Sequence, residues 1–455
     1  MPLQPLWEGF QYKLHQTYGV EWMLLREQDT IKGGIVCDEM GLGKTIQMCG
    51  LIKESKYKKT LLFAPVAVLE QWKSTAARSS IRCFMLSDSK KSWTLVSSLY
   101  KNAPSLYICG YESGLRATYL LKSTEFDRVI CDEAHRISHV KTKNFAMVSS
   151  LKIESHWFLT ATPIINKLRD LHTLFTLLGL KEVKLQEAVA KYVLARTMDQ
   201  LRESTPDAPP VPIIKEEPVE FTTLAEEEFY RSIQSNVQRQ LELLESGISP
   251  ITLLMRLRQI SIHPQVYIES KKHKNPHYPY VDWIGSSTKF ERIKTLLANE
   301  SIEKHKWIIF CHFKEEMKLL EKELKQLSYI RKIEVYGGDL NNKQRSEALA
   351  RIKEPFNDTK TCDVLLLQIQ SGGVGINLQE FDRIIFTSPW WTKALMDQAI
   401  GRAVRIGQQK QVIVYNLLLK EEETLNIDKL MNAKAEIKGE LNRKVLSYAD
   451  NNLSL

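Results

Sequence analysis

The sequence predicts an α/β protein of two parallel-sheet lobes with a helical insertion between them. Short apolar runs that end on polar or small residues recur through the first part of the chain. The same theme returns in the last third, and the stretch between the two has helical periodicity with few strand signals. These observations place a first lobe at 1–180, a helical interlobe element at 181–285 and a second lobe at 286–455.

In the first lobe the runs are GGIVCDE, TLLFAP, SLYICGYE, FDRVICDE and SHWFLTATP. Continuous apolar runs of this length suit strands buried on both faces of a parallel sheet. The segments between them are long enough for crossover helices. In the middle region TPDAPPVPIIKEEP reads as a proline-rich loop or edge excursion. LAEEEFYRSIQSNVQRQLELLESG and PITLLMRLRQISIH follow it, with apolar residues three and four apart, the mark of amphipathic helices. The second lobe offers KWIIFCHF, IRKIEVYGG, CDVLLLQIQSGG, FDRIIFTSP and QVIVYNLL as strands, alternating with helices such as KEEMKLLEKELKQL. The tail from Asn426 reads as a helix that frays at ADNNLSL.

Composition limits the function classes. With 455 residues, 43% hydrophobic and 26% charged, the chain has enough core to need no disulfide or metal staple. Its 63 basic and 54 acidic residues leave 63 − 54 = +9, which permits a nucleic-acid partner without demanding one. The opening MPLQPLWEGF lacks a basic segment followed by an apolar run, so no signal peptide is expected. No stretch approaches the ~18 apolar residues of a membrane span, so a membrane is not an expected partner. Cys37, Cys49, Cys83, Cys109, Cys131, Cys311 and Cys362 are dispersed without a C-x-x-C pair, which reads as reduced, buried thiols of an intracellular protein. Lys271, Lys272, His273, Lys274 and His277 read as a polar loop, since no paired carboxylates or thiols accompany them as metal ligands.

The strongest chemical signal is Asp38-Glu39-Met40-Gly41-Leu42-Gly43-Lys44-Thr45, directly after an apolar strand. A strand running through a glycine-rich turn into a helix is a phosphate cradle: Gly41 and Gly43 let backbone N–H groups approach an anion, Lys44 reaches the outer phosphates, and Thr45 can hold magnesium. Asp38 stands where the general P-loop pattern has Gly. Asp132-Glu133-Ala134-His135 ends another apolar run, which places two carboxylates at the C-terminal end of a strand, where ligands gather in open α/β sheets. Asp132 is the expected partner of magnesium, and Glu133 the residue that orients or deprotonates the attacking water. In the second lobe Ser371 to Leu378, with Gly375, forms a glycine-rich turn, and Gln398, Arg402 and Arg405 recur at i, i+4 and i+7, the spacing of one helix face. Two guanidiniums there would neutralise charge on a transferred phosphoryl group.

With these strings together the sequence resembles the SWI/SNF-like family of superfamily-two helicases and DNA translocases over nearly the whole chain, which implies RecA-like lobes. Leu14 to Trp22 resembles the family's Gln motif, which implies that Gln16 reads adenine. DEMGLGKTIQ is similar to motif I, DEAHRI to motif II and GRAVRIGQ to motif VI, whose arginines reach ATP bound on the other lobe. The segment from Ala64-Pro65 to Gln71-Trp72 resembles one that touches a DNA backbone. Leu159 to Pro163, with Thr160 and Thr162, resembles the motif that couples hydrolysis to lobe movement together with His135; Ala161 stands where Gly is common. Gly401 and Val404 likewise replace a common Asp and His. Arg196 to Gln200 and LMRLRQISIHP are similar to landmarks that precede the second lobe. Ser388-Pro389-Trp390-Trp391 and Leu254 to Gln259 resemble the post-replication-repair and transcription-termination branch, in a stripped form such as a DNA virus would carry. Trp390 reads either as a DNA-contacting aromatic or as a buried core tryptophan.

The resemblance implies an ATP- and magnesium-dependent motor that holds double-stranded DNA by its phosphates, with ATP bound in a cleft between the lobes. A recruiting protein is left unnamed. It also implies a nuclear or viral location. A strand-separating helicase shares the same ATP site, and a nucleotide-gated scaffold without turnover is the alternative of another class.

Overall fold

A computed structural model of the chain describes all residues except 1–2, 88–102, 181–183, 203–206, 244–248, 276, 278, 280, 358, 370–375, 421–424 and 450–455. The tail ADNNLSL lies mostly outside the described residues, as does the glycine-rich turn with Gly375. The chain divides into two compact units. One comprises Met1–Ala208, Val374–Ile376 and Ile437–Leu455, the other Pro209–Gly373 and Asn377–Glu436.

The first unit holds an all-parallel sheet of β1 (Gly33–Val36), β2 (Lys59–Ala64), β3 (Arg82–Leu86), β4 (Ser105–Gly110), β5 (Arg128–Asp132), β6 (Ser155–Leu159) and β7 (Val193–Leu194), in the order β3-β4-β2-β5-β6-β1-β7. Every expected strand of this lobe is present. Its strands alternate between two cores: Ile35, Phe63, Val129 and Phe158 pack on one face, and Val36, Leu62, Ile130 and Trp157 on the other. Two buried faces are why these strands read as unbroken apolar runs. Because β6 lies between β5 and β1, Leu159 pairs with both Asp132 and Val36. The chain therefore leaves β1 and β5 at the same height, and the two motifs lie at the same end of the sheet, the C-terminal ends of its strands.

The second unit has a parallel sheet of β8 (Ile213–Val219), β9 (His305–Cys311), β10 (Ile330–Tyr336), β11 (Cys362–Gln368), β12 (Arg383–Phe386) and β13 (Ile413–Leu419), in the order β10-β11-β9-β12-β13-β8. The helices Leu224–Leu243 and Pro250–Ile262 form, as the apolar spacing predicts, and their faces meet in a cluster with Tyr230, Leu257, Ile427 and Met431.

The middle region is not a separate element. β7 pairs with β1, and β8 pairs with β13 from Ile213 against Ile413 to Val219 against Leu419, so its residues are shared between the two units. The exposed, charged sequence IIKEEPV of β8 lacks an apolar signature because it is an edge strand, and the edge is where its Pro218 is tolerated. The free cysteines are buried, apart from the half-buried Cys83. Among the described residues no helix is long and apolar enough to cross a membrane.

Candidate nucleotide site

The phosphate cradle is built from β1, a turn and the helix α2 (Lys44–Glu54). Gly41 and Gly43 have φ of 87° and 81°, the left-handed region that favours glycine. A Cβ on Gly43 would also lie 2.6 Å from Gln16 Nε2. Gly43→Ala is therefore expected to cost about 1–2 kcal/mol in backbone strain alone and to loosen the turn. Nucleotide affinity measured beside urea unfolding checks this; an alanine variant with unchanged affinity and midpoint would refute it.

Lys44 Nζ donates to the carbonyls of Asp38 at 2.5 Å and Glu39 at 3.3 Å, so its ammonium lies along the loop. Thr45 sits half-buried in the first turn of α2, and Met40 lies half-buried in the loop. Gln16 belongs to α1 (Leu14–Arg26) and is buried beside the loop. Its Oε1 accepts from Lys13 N at 3.1 Å, and its Nε2 reaches Leu42 O at 3.5 Å.

Two of the expected loop ligands turn inward. Leu42 is fully buried. Asp38 is 0% exposed, and its carboxylate is held by Arg196: Nε donates to Oδ1 at 2.9 Å and Nη2 to Oδ2 at 2.5 Å. A carboxylate removed from water needs a bonded cation, and Arg196 holds this one below the usual carboxylate range despite its burial. Asp38 thus serves the loop through its carbonyl and not through its side chain. Arg196 also donates to Gln47 Oε1 at 2.9 Å and to His15 O, while Met198 N donates to Glu39 Oε2 at 2.6 Å. The segment after β7 therefore holds the start of the turn, at Asp38 and Glu39. The resemblance marks Arg196 only as a landmark before the second lobe; no local pattern shows that it reaches Asp38.

The carboxylate pair stands at the end of β5. Asp132 Oδ1 accepts from Glu133 N at 2.9 Å and Oδ2 from Trp72 Nε1 at 2.8 Å, while Tyr111 Oη donates to the Asp132 carbonyl at 2.8 Å. Burial, followed by the adjacent Glu133 charge, pushes the Asp132 carboxyl up to about 6. Glu133 has φ 51°, ψ 54°, a left-handed conformation rare outside glycine and of the kind stored at functional sites. Its Oε2 lies 3.3 Å from His135 Nδ1, the expected coupling residue within the same motif. Thr160, at the end of β6, donates its N–H to Val36 O, and its Oγ1 bridges Thr162 N and O at 3.1 Å each. Ala161 has no positive φ, so its methyl adds no left-handed strain. Next to this turn, Asn442 Oδ1 accepts from Ile164 N at 3.1 Å and its Nδ2 donates to Ile164 O at 2.5 Å.

In the second unit the helix Lys393–Ile400 carries Gln398 but ends before the arginines, with Gly401 as its cap. This corrects the single helical face expected from the spacing. Arg402 N and Ala403 N bond three residues back, to Ala399 O and Ile400 O, so the chain leaves the helix as a turn after a weak helix former. Arg402 is buried in that turn, and its carbonyl accepts from Leu378 N at 3.0 Å. Arg405 Nε donates to Gly401 O at 3.0 Å, and burial lowers its pKa.

The DNA-contact expectations are also revised. Pro65 is buried, and Trp72 is 1% exposed within the core behind α3 (Leu69–Arg78), so neither ring meets a ligand at the surface; Gln71 is exposed. Trp390 is half-buried, stacked on His312 at 5.2 Å and 7°, with the Arg258 guanidinium 4.6 Å from its ring.

A strand–glycine turn–helix cradle beside a strand-end Asp-Glu pair, on a parallel sheet, defines a P-loop nucleoside-triphosphate protein. Residues 15–190 match the SNF2-related domain and residues 288–407 the helicase conserved C-terminal domain. The chain is 25% identical over 466 residues to a putative ATP-dependent helicase/translocase of Bacillus subtilis, covering 94% of this chain and 48% of that protein. It is 26% identical over 477 residues to a probable global transactivator of Orgyia pseudotsugata multicapsid polyhedrosis virus, covering 96% and 92%. It is 25% identical over 477 residues to a mouse SWI/SNF-related regulator of chromatin, subfamily A member 1, covering 96% and 44%. The chain thus spans about half the length of the bacterial and mouse relatives and nearly all of the viral one. The chain belongs to the SNF2-related family of helicase-like ATPases.

Proposed function

We propose that the chain is an ATP-dependent translocase on double-stranded DNA. The observation that carries this reading is the shared height of β1 and β5, from which the loop with Lys44 and Thr45 and the Asp132-Glu133 pair start at the same end of the sheet. Thr45 Oγ1 and the Asp132 carboxylate are hard oxygen donors, suited to magnesium, which takes few protein ligands and completes its shell with phosphate and water. Magnesium would neutralise phosphate charge there. Lys44 binds the outer phosphates, Glu133 orients and deprotonates water, and Arg402 and Arg405 are the proposed guanidiniums for the transferred phosphoryl group.

The names of the relatives, a helicase/translocase and a regulator of chromatin, support a DNA substrate. Phosphate-backbone contacts make the expected binding salt-dependent and weakly sequence-specific. The test is ATP turnover without DNA, with single strands and with duplex, beside triplex displacement and a forked duplex. Turnover is expected to rise most with duplex, with triplex displaced and the fork intact. Absence of DNA-stimulated turnover would replace this reading by a nucleotide-gated scaffold, and an unwound fork by a strand-separating helicase.

A further inference from the structure

Trp72 lies in a segment with exposed Val66, Glu70, Gln71 and Lys73, yet its own ring faces inward. It packs in the cluster of Leu62, Ala64, Ala76, Ile81 and Ile130, and its one polar atom ends on Asp132 Oδ2 at 2.8 Å. The second carboxylate oxygen takes the Glu133 N–H, so each oxygen of Asp132 has one fixed donor. A packed indole has a single available direction for its N–H, and a carboxylate bonded on both oxygens has little freedom about its terminal torsion. We propose that Trp72 is a positioning residue for the magnesium-side carboxylate: its N–H sets the orientation in which Asp132 meets the metal. The inference rests on the nucleotide reading above and extends it to a residue that touches neither nucleotide nor metal.

Trp72→Phe keeps an aromatic side chain in the core, smaller than the indole, and removes the N–H. Binding of a fluorescent nucleoside diphosphate is followed as a function of magnesium concentration and again in EDTA. Loss of such an outer partner typically weakens metal affinity about 10- to 100-fold. The expected result is a magnesium midpoint raised by about tenfold or more, unchanged affinity in EDTA, and a lowered thermal midpoint with cooperative unfolding retained, since the core loses volume. An unchanged magnesium midpoint overturns the proposal. So does an equal shift in Ile81→Val, which trims the same core without touching Asp132, because packing would then be the cause. A Trp72→Phe effect that persists in an Asp132→Asn background also overturns it.

The indole N–H resonance of Trp72, assigned by its loss in Trp72→Phe, supplies a readout independent of nucleotide. It is expected to move in Asp132→Asn, and a resonance that stays in place refutes the contact. If the wild type binds no nucleotide, the ATPase reading fails by itself, and this resonance still decides the role of Trp72.

Discussion

Glu133→Gln is expected to lower ATP turnover by about 100- to 10,000-fold, the range for a lost general base, while nucleotide remains bound. The substitution is nearly isosteric, so the left-handed backbone at residue 133 and its N–H bond to Asp132 Oδ1 are retained. An amide cannot accept the proton of the attacking water. Removing the charge beside Asp132 also removes one of the two causes that raise its pKa, so the carboxylate ionises more readily and metal binding should not suffer. Single-turnover phosphate release measured beside nucleotide retention separates the two effects. Turnover within tenfold of the wild type would remove Glu133 from the chemistry.

Arg196→Met should cost the first unit a large part of its stability. Asp38 and Arg196 are both fully buried, and the carboxylate has no route to water once its partner is gone. Truncating one member of a buried pair typically costs about 3–5 kcal/mol, because the remaining charge stays uncompensated. The same guanidinium bonds Gln47 and His15 O, so the loss spreads to the start of α2 and to α1. The close fit around Gln47 makes this worse: a Cβ on Gly19 would come 1.9 Å from Gln47 Oε1, so α1 and α2 have no slack to fill the gap. Urea unfolding measures the loss. The double variant Arg196→Met with Asp38→Asn should recover part of it, since no bare charge remains. A single variant that loses less than about 1 kcal/mol, the scale of an exposed pair, would show that Asp38 is not held as described.

Much of the first unit was legible in its sequence. β1, β2, β4, β5 and β6 are buried on both faces, and double burial writes itself as an unbroken apolar run. β3 and β7 were not legible and β8 only as one of two readings, a loop or an edge excursion: RCFML is half-exposed, β7 has two residues, and β8 shows mostly exposed side chains at an edge. The i, i+4, i+7 spacing of Gln398, Arg402 and Arg405 suggested one face, but spacing cannot report where a helix stops, and this one stops at Ile400. The resemblance also made Trp72 a DNA-contact candidate, because the segment from Ala64 to Trp72 is similar to one that touches a DNA backbone, and the inward turn of one ring leaves no local sign.

By itself, then, the sequence marked the loop from Asp38 to Thr45 and the Asp132-Glu133 pair as the candidate site, because a glycine-rich turn, its lysine and paired carboxylates are patterns of contiguous residues. Only the tertiary structure decided what holds them. Asp38 is met by Arg196 across 158 positions, Asp132 by Trp72 across 60, and Ile164 by Asn442 across 278. Such bonds join elements through the fold and follow from the desolvation of buried polar groups, which must find partners wherever packing brings them, and no periodicity along the chain records that requirement.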